Sequence, residues 1–122
     1  MELKVNSDKN YCTIKLTGLL TRDMILHAFD ASVSHIHHIS GMGRLWDFTE
    51  ADLSLLNSNT IQAMAHYSLK FPKGINDVKV AFAVTRDLEY GLTKIFEAFS
   101  AKAKTNIEIF RSLEEAQEWV ST

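Results

Sequence analysis

The 122-residue chain has little cysteine, no excess of positive charge and no long hydrophobic run. Its single cysteine, Cys12, cannot form an intrachain disulfide, which is typical of a reducing, cytoplasmic setting. The formal net charge is -2 with both signs interspersed, so a nucleic-acid partner is not expected. No apolar run approaches the roughly 20 residues of a membrane-spanning helix, and no signal peptide is seen. We therefore expect a cytoplasmic protein that neither crosses a membrane nor binds nucleic acid.

Recognisable catalytic motifs are also missing. The sequence has no Gly-rich phosphate-binding loop and supports no Ser-His-Asp arrangement. Cys12 lies in an alternating strand with its side chain inward, where a thiol behaves as an inert small hydrophobe. We therefore expect no cofactor and no catalytic residue.

The composition, with 46% hydrophobic and 23% charged residues, is that of an ordinary globular domain. Its length predicts one domain over residues 1–122. Alternating apolar residues predict an antiparallel hairpin near the start, and later strands are each flanked by helical patterns. The predicted element order is β-β-α-β-α-β-α-β-α, and right-handed crossovers between parallel strands then give a layered α/β domain.

Several boundaries follow from local signals. Gly18 is predicted to end the second strand, and Thr21 to cap a first helix whose apolar stripe extends to Ile36. Thr85 or Asp87 is predicted to cap the third helix. The inward apolar stripe of the third helix is predicted to consist of Leu88, Leu92, Ile95, Phe96 and Phe99. A capping box formed by Ser112 and Glu115 is predicted to begin the last helix.

The central strand has a distinctive pattern. Its larger residues point one way and its alanines the other, which predicts a strand covered on both faces. These residues are Val78, Val80, Phe82 and Val84 on one side, and Ala81 and Ala83 on the other.

The stretch from Arg44 to His66 is the main candidate for a functional site. A short strand from Leu45 to Phe48 runs into a polar turn, and a helix follows from near Asn57. Ligands and partners of open α/β sheets gather at the carboxyl ends of strands and at helix N-termini. We therefore expect binding through the turn at residues 47–60, which includes Thr49.

Asp47, at the end of that strand, either binds a ligand or accepts hydrogen bonds from turn N–H groups, and the second role is favoured. Arg86 follows the next strand and could bind an anion at the same edge, or pair with Asp47, Asp87 or Glu89. Polar residues crowd the helix start, where one is needed as a cap. A hydroxyl there, such as that of Ser58, is also a favourable place for a phosphate.

Leu53, Leu55 and Leu56 interrupt the polar turn with aliphatic side chains. They could pack on the core through a short extra helix. Alternatively, they could form a flap over an apolar pocket or a patch for a partner.

His35, His37 and His38 form the tightest group of metal-type residues, near a predicted helix end. Two of them, three residues apart, could reach one ion. No carboxylate or cysteine at a set spacing completes the ligand set, so no metal is expected.

The succession LWDFTEADL and then VAFAVTRDLEYGLTKIFEAFSAKAKTNIEIFRSLEEAQEWV resembles the SpoIIAA-like family of the STAS superfamily. The resemblance covers essentially the whole chain. Its more specific part is the helix start Asp-Leu-Glu-Tyr-Gly-Leu, followed by Ile-Phe-Arg-Ser-Leu-Glu-Glu-Ala and Trp119. It implies a mixed five-stranded sheet with helices mainly on one face.

The resemblance implies several roles. Anti-sigma-factor antagonists of this kind bind a kinase and are phosphorylated on a serine after the third strand, which corresponds here to Ser58. Their Asp-Ser-Ser-Gly-like signature is replaced by Asn57-Ser58-Asn59, without the glycine. Other relatives enclose an apolar ligand, and the branch that this chain most resembles is largely of unknown function.

Three hypotheses remain. The first is a bacterial-type, non-enzymatic regulatory domain that binds a protein partner, or itself as a homodimer, through the 47–60 turn. The second is a carrier of a small apolar, lipid-like ligand, with the three leucines as a flap. The third, least favoured, is an enzyme that uses Asp47 and Arg86.

Overall fold

A computed structural model describes all residues, 1–122. It has seven strands, four α-helices and one short 3-10 helix. In chain order these are β1 (Glu2–Asn6), β2 (Tyr11–Lys15), β3 (Gly18–Leu19), α1 (Arg22–Val33), β4 (Gly43–Asp47), β5 (Ala51–Asp52), α2 (Ser58–Ser68), β6 (Lys79–Ala83), α3 (Asp87–Phe99), the 3-10 turn Ala101–Ala103, β7 (Asn106–Phe110) and α4 (Leu113–Val120).

The predicted five-stranded mixed sheet is confirmed. Its order is β1-β2-β4-β6-β7, with β1 antiparallel to β2 and every later pair parallel. A second, two-stranded parallel sheet, β3-β5, was not predicted. Gly18 therefore begins β3, whereas the second strand already ends at Lys15. Strands of two residues are too short to show an alternation in sequence.

The two faces of the sheet carry cores of very different size. Helices α1, α2 and α3 cover the large core, and α4 alone covers the small one. The larger residues of the central strand, Val78, Val80, Phe82 and Val84, lie in the large core. The small core contains Leu45, Ala81, Ala83, Ala116 and Val120. Both the two-sided burial of the strand and the one-sided arrangement of most helices are as predicted.

Three helices begin with side-chain caps, of which Thr21 and Ser112 were predicted individually and Asn57 belongs to the polar cluster expected to supply one. The side chains of Thr21, Asn57 and Ser112 accept hydrogen bonds from the first-turn amides of α1, α2 and α4. Only the serine half of the predicted capping box is present, since the Glu115 carboxylate makes no return bond. The third helix is capped by neither Thr85 nor Asp87. Its N-cap is Arg86, which makes no side-chain capping bond.

Two apolar stripes are shorter or rotated compared with the prediction. Helix α1 ends at Val33, with Ser34 as its C-cap, and Ile36 is 88% exposed beyond it. In α3, Glu89 and Thr93 are buried with Leu92, so Leu88 and Phe99 turn outward. A helix face that buries a carboxylate does not follow the hydrophobic pattern. None of the helices is long and apolar enough to cross a membrane.

Candidate functional site

The turn between β4 and α2 lies at the carboxyl edge of the parallel strands, and Asp47 opens it. The carboxylate is buried, and its Oδ1 accepts hydrogen bonds from the Thr49 amide at 3.0 Å and the Thr49 hydroxyl at 2.6 Å. The Thr85 hydroxyl donates to the Thr49 carbonyl at 3.1 Å, which ties the turn to the end of β6. These bonds are those of an Asx turn, so both candidate residues, Asp47 and Thr49, hold the backbone.

The three leucines of the turn separate into two roles. Leu53 and Leu56 are buried in the large core, whereas Leu55 is 56% exposed. No extra helix forms between β5 and α2. Because Leu53 and Leu56 pack in the core on either side of it, Leu55 projects outward from a turn that is anchored before and after it.

A buried carboxylate, Glu89 of α3, holds this backbone. Its Oε2 accepts the Leu53 amide at 3.0 Å, and the two carboxylate oxygens accept Arg86 Nε at 2.7 Å and Arg86 Nη2 at 2.6 Å. The same Nη2 lies 3.0 Å from Asp52 Oδ1 in β5. We call Asp52, Arg86 and Glu89 the turn clamp, because together they fasten the 47–60 turn to α3.

The electrostatics of the turn clamp agree with this geometry. Burial alone would raise the pKa of Glu89, but hydrogen bonds from Arg86 and the Leu53 amide outweigh burial and lower it. The pKa of Asp52 is also lowered, first by hydrogen bonds from Ser54 and then by Arg86. The pKa of Arg86 is raised by its bonds to Glu89 and Asp52. All three groups are therefore charged at neutral pH.

Asp47 and Arg86, the residues considered for catalysis, do not pair with each other. Arg86 is engaged by the turn clamp, and Asp47 by Thr49. Both side chains therefore make contacts that hold the turn in place. They do not point toward a common position at the edge of the sheet where a substrate could bind both.

The start of α2 presents an exposed hydroxyl. Asn57 is the N-cap, with its Oδ1 accepting the Thr60 amide at 2.9 Å and the Thr60 hydroxyl at 3.1 Å. Ser58 is the first helical residue and is exposed. Since Asn57 caps the helix, the Ser58 hydroxyl is not needed as the cap.

The residues considered for metal binding or nucleophilic chemistry lie elsewhere. His35, His37 and His38 follow the end of α1 in a turn, and no group of three His, Cys, Asp or Glu side chains converges in a way that could hold a metal. Burial, with Arg44 nearby, lowers the pKa of His38. Cys12 is fully buried, and burial raises the pKa of its thiol to about 11.

Beneath the turn, a cavity of about 70 Å³ lies between the sheet and helices α1, α2 and α3. Leu53 and Leu56 form part of its wall, so the turn and the cavity share residues. The wall is mostly apolar and aromatic, and includes Phe29, Trp46, Phe48, Phe82 and Phe96.

The polar residues of the cavity gather at its other end, near the amino ends of the strands. Arg44 lies near the start of β4, Asn76 precedes β6, and Ser100 and Thr105 precede β7. The Arg44 side chain is almost completely buried, and burial lowers its pKa to about 10. The cavity is therefore apolar at the turn and cationic at the far end.

Sequence reasoning named Glu89 only as a possible partner of Arg86, which the structure confirms, and did not single out Arg44. For Glu89 the signal was its i,i+3 spacing from Arg86 at a helix start, which permits an ion pair. For Arg44 the signal was a charge inside the otherwise apolar run Gly43–Phe48, where an unpaired charge is costly. Neither signal identifies the distant partners, because Leu53 lies 36 residues from Glu89 and the hydrogen-bond acceptors of Arg44 lie more than thirty residues away.

No known family model matches this chain, and no curated protein matches its sequence. Among solved structures, the chain is similar to the crystal structure of an uncharacterized protein of the DUF3478 family with a SpoIIAA-like fold, from Shewanella loihica PV-4. The TM-score is 0.62 at 20% sequence identity, over 98% of this chain and 90% of that one. The expected fold is thereby confirmed: this chain has a SpoIIAA-like fold.

Proposed function

We propose that this protein is a non-enzymatic binding domain that engages a protein partner, or a second copy of itself, through the 47–60 turn. The observation that carries the proposal is the outward position of Leu55 on a turn anchored from three sides. Leu53 and Leu56 anchor it in the core, and the turn clamp anchors it to α3. A rigid apolar side chain costs little conformational entropy on binding and can act as an interface anchor.

Leu55 does not stand alone at this edge. Leu19 in β3, Met24 in the first turn of α1 and Leu88 in the first turn of α3 are each at least 43% exposed. The topology places all four at the carboxyl edge of the parallel strands. We call Leu19, Met24, Leu55 and Leu88 the apolar edge. Apolar side chains grouped on a polar surface are typical of a protein interface.

The charged groups around the apolar edge support the same use. Lys15 pairs with Glu50 at 2.6 Å, and Arg111 pairs with Asp87 at 2.9 Å. Both pairs lie at the surface. Because each pair joins opposite charges, the surface around the apolar edge carries no strong net charge of either sign. A mixed polar rim around apolar residues is the usual anatomy of a non-obligate interface.

The lipid-carrier alternative has less support. The cavity beneath the turn is about 70 Å³, whereas pockets for drug-sized or larger ligands enclose roughly 300–1,000 Å³. A lipid-like molecule would require Leu53 and Leu56 to leave the core.

The experiment compares two matched surface variants. Leu55→Asp alters the apolar edge. Leu69→Asp makes the same change at a leucine that is 43% exposed after α2, at the opposite edge of the sheet. Sedimentation of the purified proteins measures self-association, and tagged wild type identifies partners that are then purified and titrated. We expect Leu55→Asp alone to lose binding. Equal binding by both variants would show that the apolar edge is not the binding surface.

Ser58 provides a second test. A phosphate at the first position of α2 would lie beside amides that the helix leaves free, and would change the charge next to Leu55. If the turn is a phosphorylation-controlled interface, Ser58→Ala abolishes phosphate incorporation and Ser58→Glu alters partner affinity. Unchanged incorporation and affinity in Ser58→Ala would end the idea of a switch at this serine.

A further inference from the structure

The amino edge of the sheet, opposite the 47–60 turn, carries a second group of exposed apolar side chains. Ile36 and Ile39 are exposed in the segment that joins α1 to β4, Leu69 is exposed at the end of α2, and Phe99 at the end of α3. Each of these helices runs from the carboxyl end of one parallel strand back to the amino end of the next. All four side chains therefore lie at the same edge.

Exposed lysines accompany these apolar side chains. Lys70 and Lys73 lie in the segment between α2 and β6, and Lys102 and Lys104 lie in the segment between α3 and β7. None of the four forms a salt bridge. We call these lysines, together with Ile36, Ile39, Leu69 and Phe99, the basic edge.

Few carboxylates offset the positive charge of the basic edge. In the last turns of the helices, the Asp30 carboxylate accepts the Tyr67 hydroxyl at 2.8 Å, and Glu97 is paired with Lys94 at 3.4 Å. The three segments that join the helices to the next strands contain one carboxylate, that of Asp77. The basic edge is therefore locally positive in a chain whose net charge is -2.

The composition of the basic edge fits a lipid surface better than a protein. Lysine is depleted in protein interfaces, where its flexible and strongly hydrated side chain would have to be fixed. At an anionic bilayer, lysines keep their water beside the lipid phosphates, while apolar side chains enter the boundary between headgroups and acyl chains. At the apolar edge, by contrast, Lys15 is already paired with Glu50. The two ends of the domain therefore suit different partners.

We propose that the basic edge docks this domain on the surface of a bilayer that contains anionic phospholipid. The four lysines contact lipid phosphates, and Ile36 and Ile39 insert at the headgroup boundary. The apolar edge then points away from the bilayer, where a protein partner can reach it. Docking on lipid requires no protein partner, so its test is separate from that of the apolar edge.

Co-sedimentation of the full chain with vesicles tests the docking. One set of vesicles is phosphatidylcholine alone, and in the other about one third of the lipid is phosphatidylglycerol. We expect the protein to sediment with the anionic vesicles only. Raising sodium chloride from about 0.05 M to about 0.5 M should release it, because salt screens the attraction. Equal sedimentation with both sets, or sedimentation with neither at low salt, would overturn the proposal.

Substitutions at exposed positions locate the surface. A lysine beside an anionic bilayer contributes about a fivefold change in affinity, so Lys70→Gln combined with Lys73→Gln should weaken binding roughly 25-fold. Ile36→Ser should weaken binding several-fold, and Ile36→Leu should retain it. The control is Lys4→Gln, which removes the same charge from an exposed lysine of β1 and should leave binding nearly unchanged. A loss with Lys4→Gln as large as that with Lys70→Gln alone would indicate a general attraction of charge and contradict the proposal.

A soluble polyanion separates a lipid surface from an acidic protein. Poly-glutamate carries carboxylates but has no apolar phase into which Ile36 and Ile39 could insert. We therefore expect it to bind the wild type much more weakly than anionic vesicles of the same charge concentration do. Binding of poly-glutamate that is lost in the double lysine variant, together with no binding to vesicles, would assign the basic edge to an acidic protein and refute docking on lipid.

Discussion

Replacing Glu89 should reveal how far the turn clamp stabilises the fold. The Glu89 side chain is 1% exposed and accepts three hydrogen bonds, two from Arg86 and one from the Leu53 amide. Arg86 is about half exposed, so it regains water when its partner is lost, and only part of the ion pair contributes to stability.

Most of the expected loss in the free energy of unfolding comes from the Leu53 amide, which loses its acceptor. Glu89→Ala leaves this buried donor without an acceptor, which costs about 1–3 kcal/mol, and it also leaves a small cavity. We therefore expect Glu89→Ala to lower the free energy of unfolding by about 3 kcal/mol. Glu89→Gln keeps one oxygen for the amide and should cost about 1.5 kcal/mol.

Urea unfolding monitored by tryptophan fluorescence measures both effects. With a slope of about 1–3 kcal/mol per molar, Glu89→Gln should lower the midpoint by roughly 1 M. The control is Glu97→Gln on the same helix, because Glu97 forms an exposed i,i+3 pair with Lys94 at 3.4 Å. This control should leave the midpoint almost unchanged.

The contribution of Glu89 to the free energy of unfolding should depend on pH in one direction only. The pKa of Glu89 is lower in the folded protein than its ordinary value of 4.5. Its contribution is therefore complete above that pH and is lost as the pH falls through the folded pKa. The difference in the free energy of unfolding between wild type and Glu89→Gln should narrow as the pH falls below 4.5 and through the folded pKa of Glu89. A difference that is absent at pH 7, or that grows in acid, would refute the reasoning about the turn clamp.

Three further outcomes are expected. Because Cys12 is fully buried and its pKa is raised to about 11, a thiol reagent at pH 8 should leave it unmodified in the native protein and label it only in urea. Labelling at the rate of a free thiol would contradict this. Leu56→Ala should cost about 3 kcal/mol in urea unfolding, whereas Leu55→Ala should change stability little. Equal losses would disprove the division between the two leucines. Gly41 and Gly74 both have φ of +88°, but a Cβ meets neighbouring atoms only at Gly74. Gly74→Ala should therefore lower the midpoint of thermal unfolding more than Gly41→Ala. A larger decrease for Gly41→Ala would show that the neighbouring atoms move away from the new Cβ at position 74.

The fold could be predicted from the sequence because its strongest signals are periodic. The alternation of valines and alanines around Phe82 predicts a strand covered on both faces, and this is confirmed. Thr21 caps α1 as predicted, and a member of the predicted polar cluster, Asn57, caps α2, because capping is a contact between near neighbours.

The candidate site was less predictable, because its contacts join distant parts of the chain. Glu89 meets Leu53 across 36 residues, and Arg44 meets Asn76 across 32. No local pattern determines which of Leu53, Leu55 and Leu56 turns outward. That choice depends on the amide that Glu89 accepts, and hence on the packing of α3.

The order of the strands has a consequence for which parts of this domain unfold locally. After the hairpin of β1 and β2, each crossover adds one parallel strand beside the previous one, in the order β4, β6, β7. Strands β4 and β6 are therefore bonded on both sides and covered on both faces, whereas β1 is an edge strand with alternate residues exposed. Amide hydrogens of β4 and β6 should exchange with solvent only through global unfolding, and those of β1 through local fraying. Arg44 at the polar end of the cavity and Asp47 at the start of the turn both belong to β4, so both are attached to the part of the molecule expected to exchange most slowly.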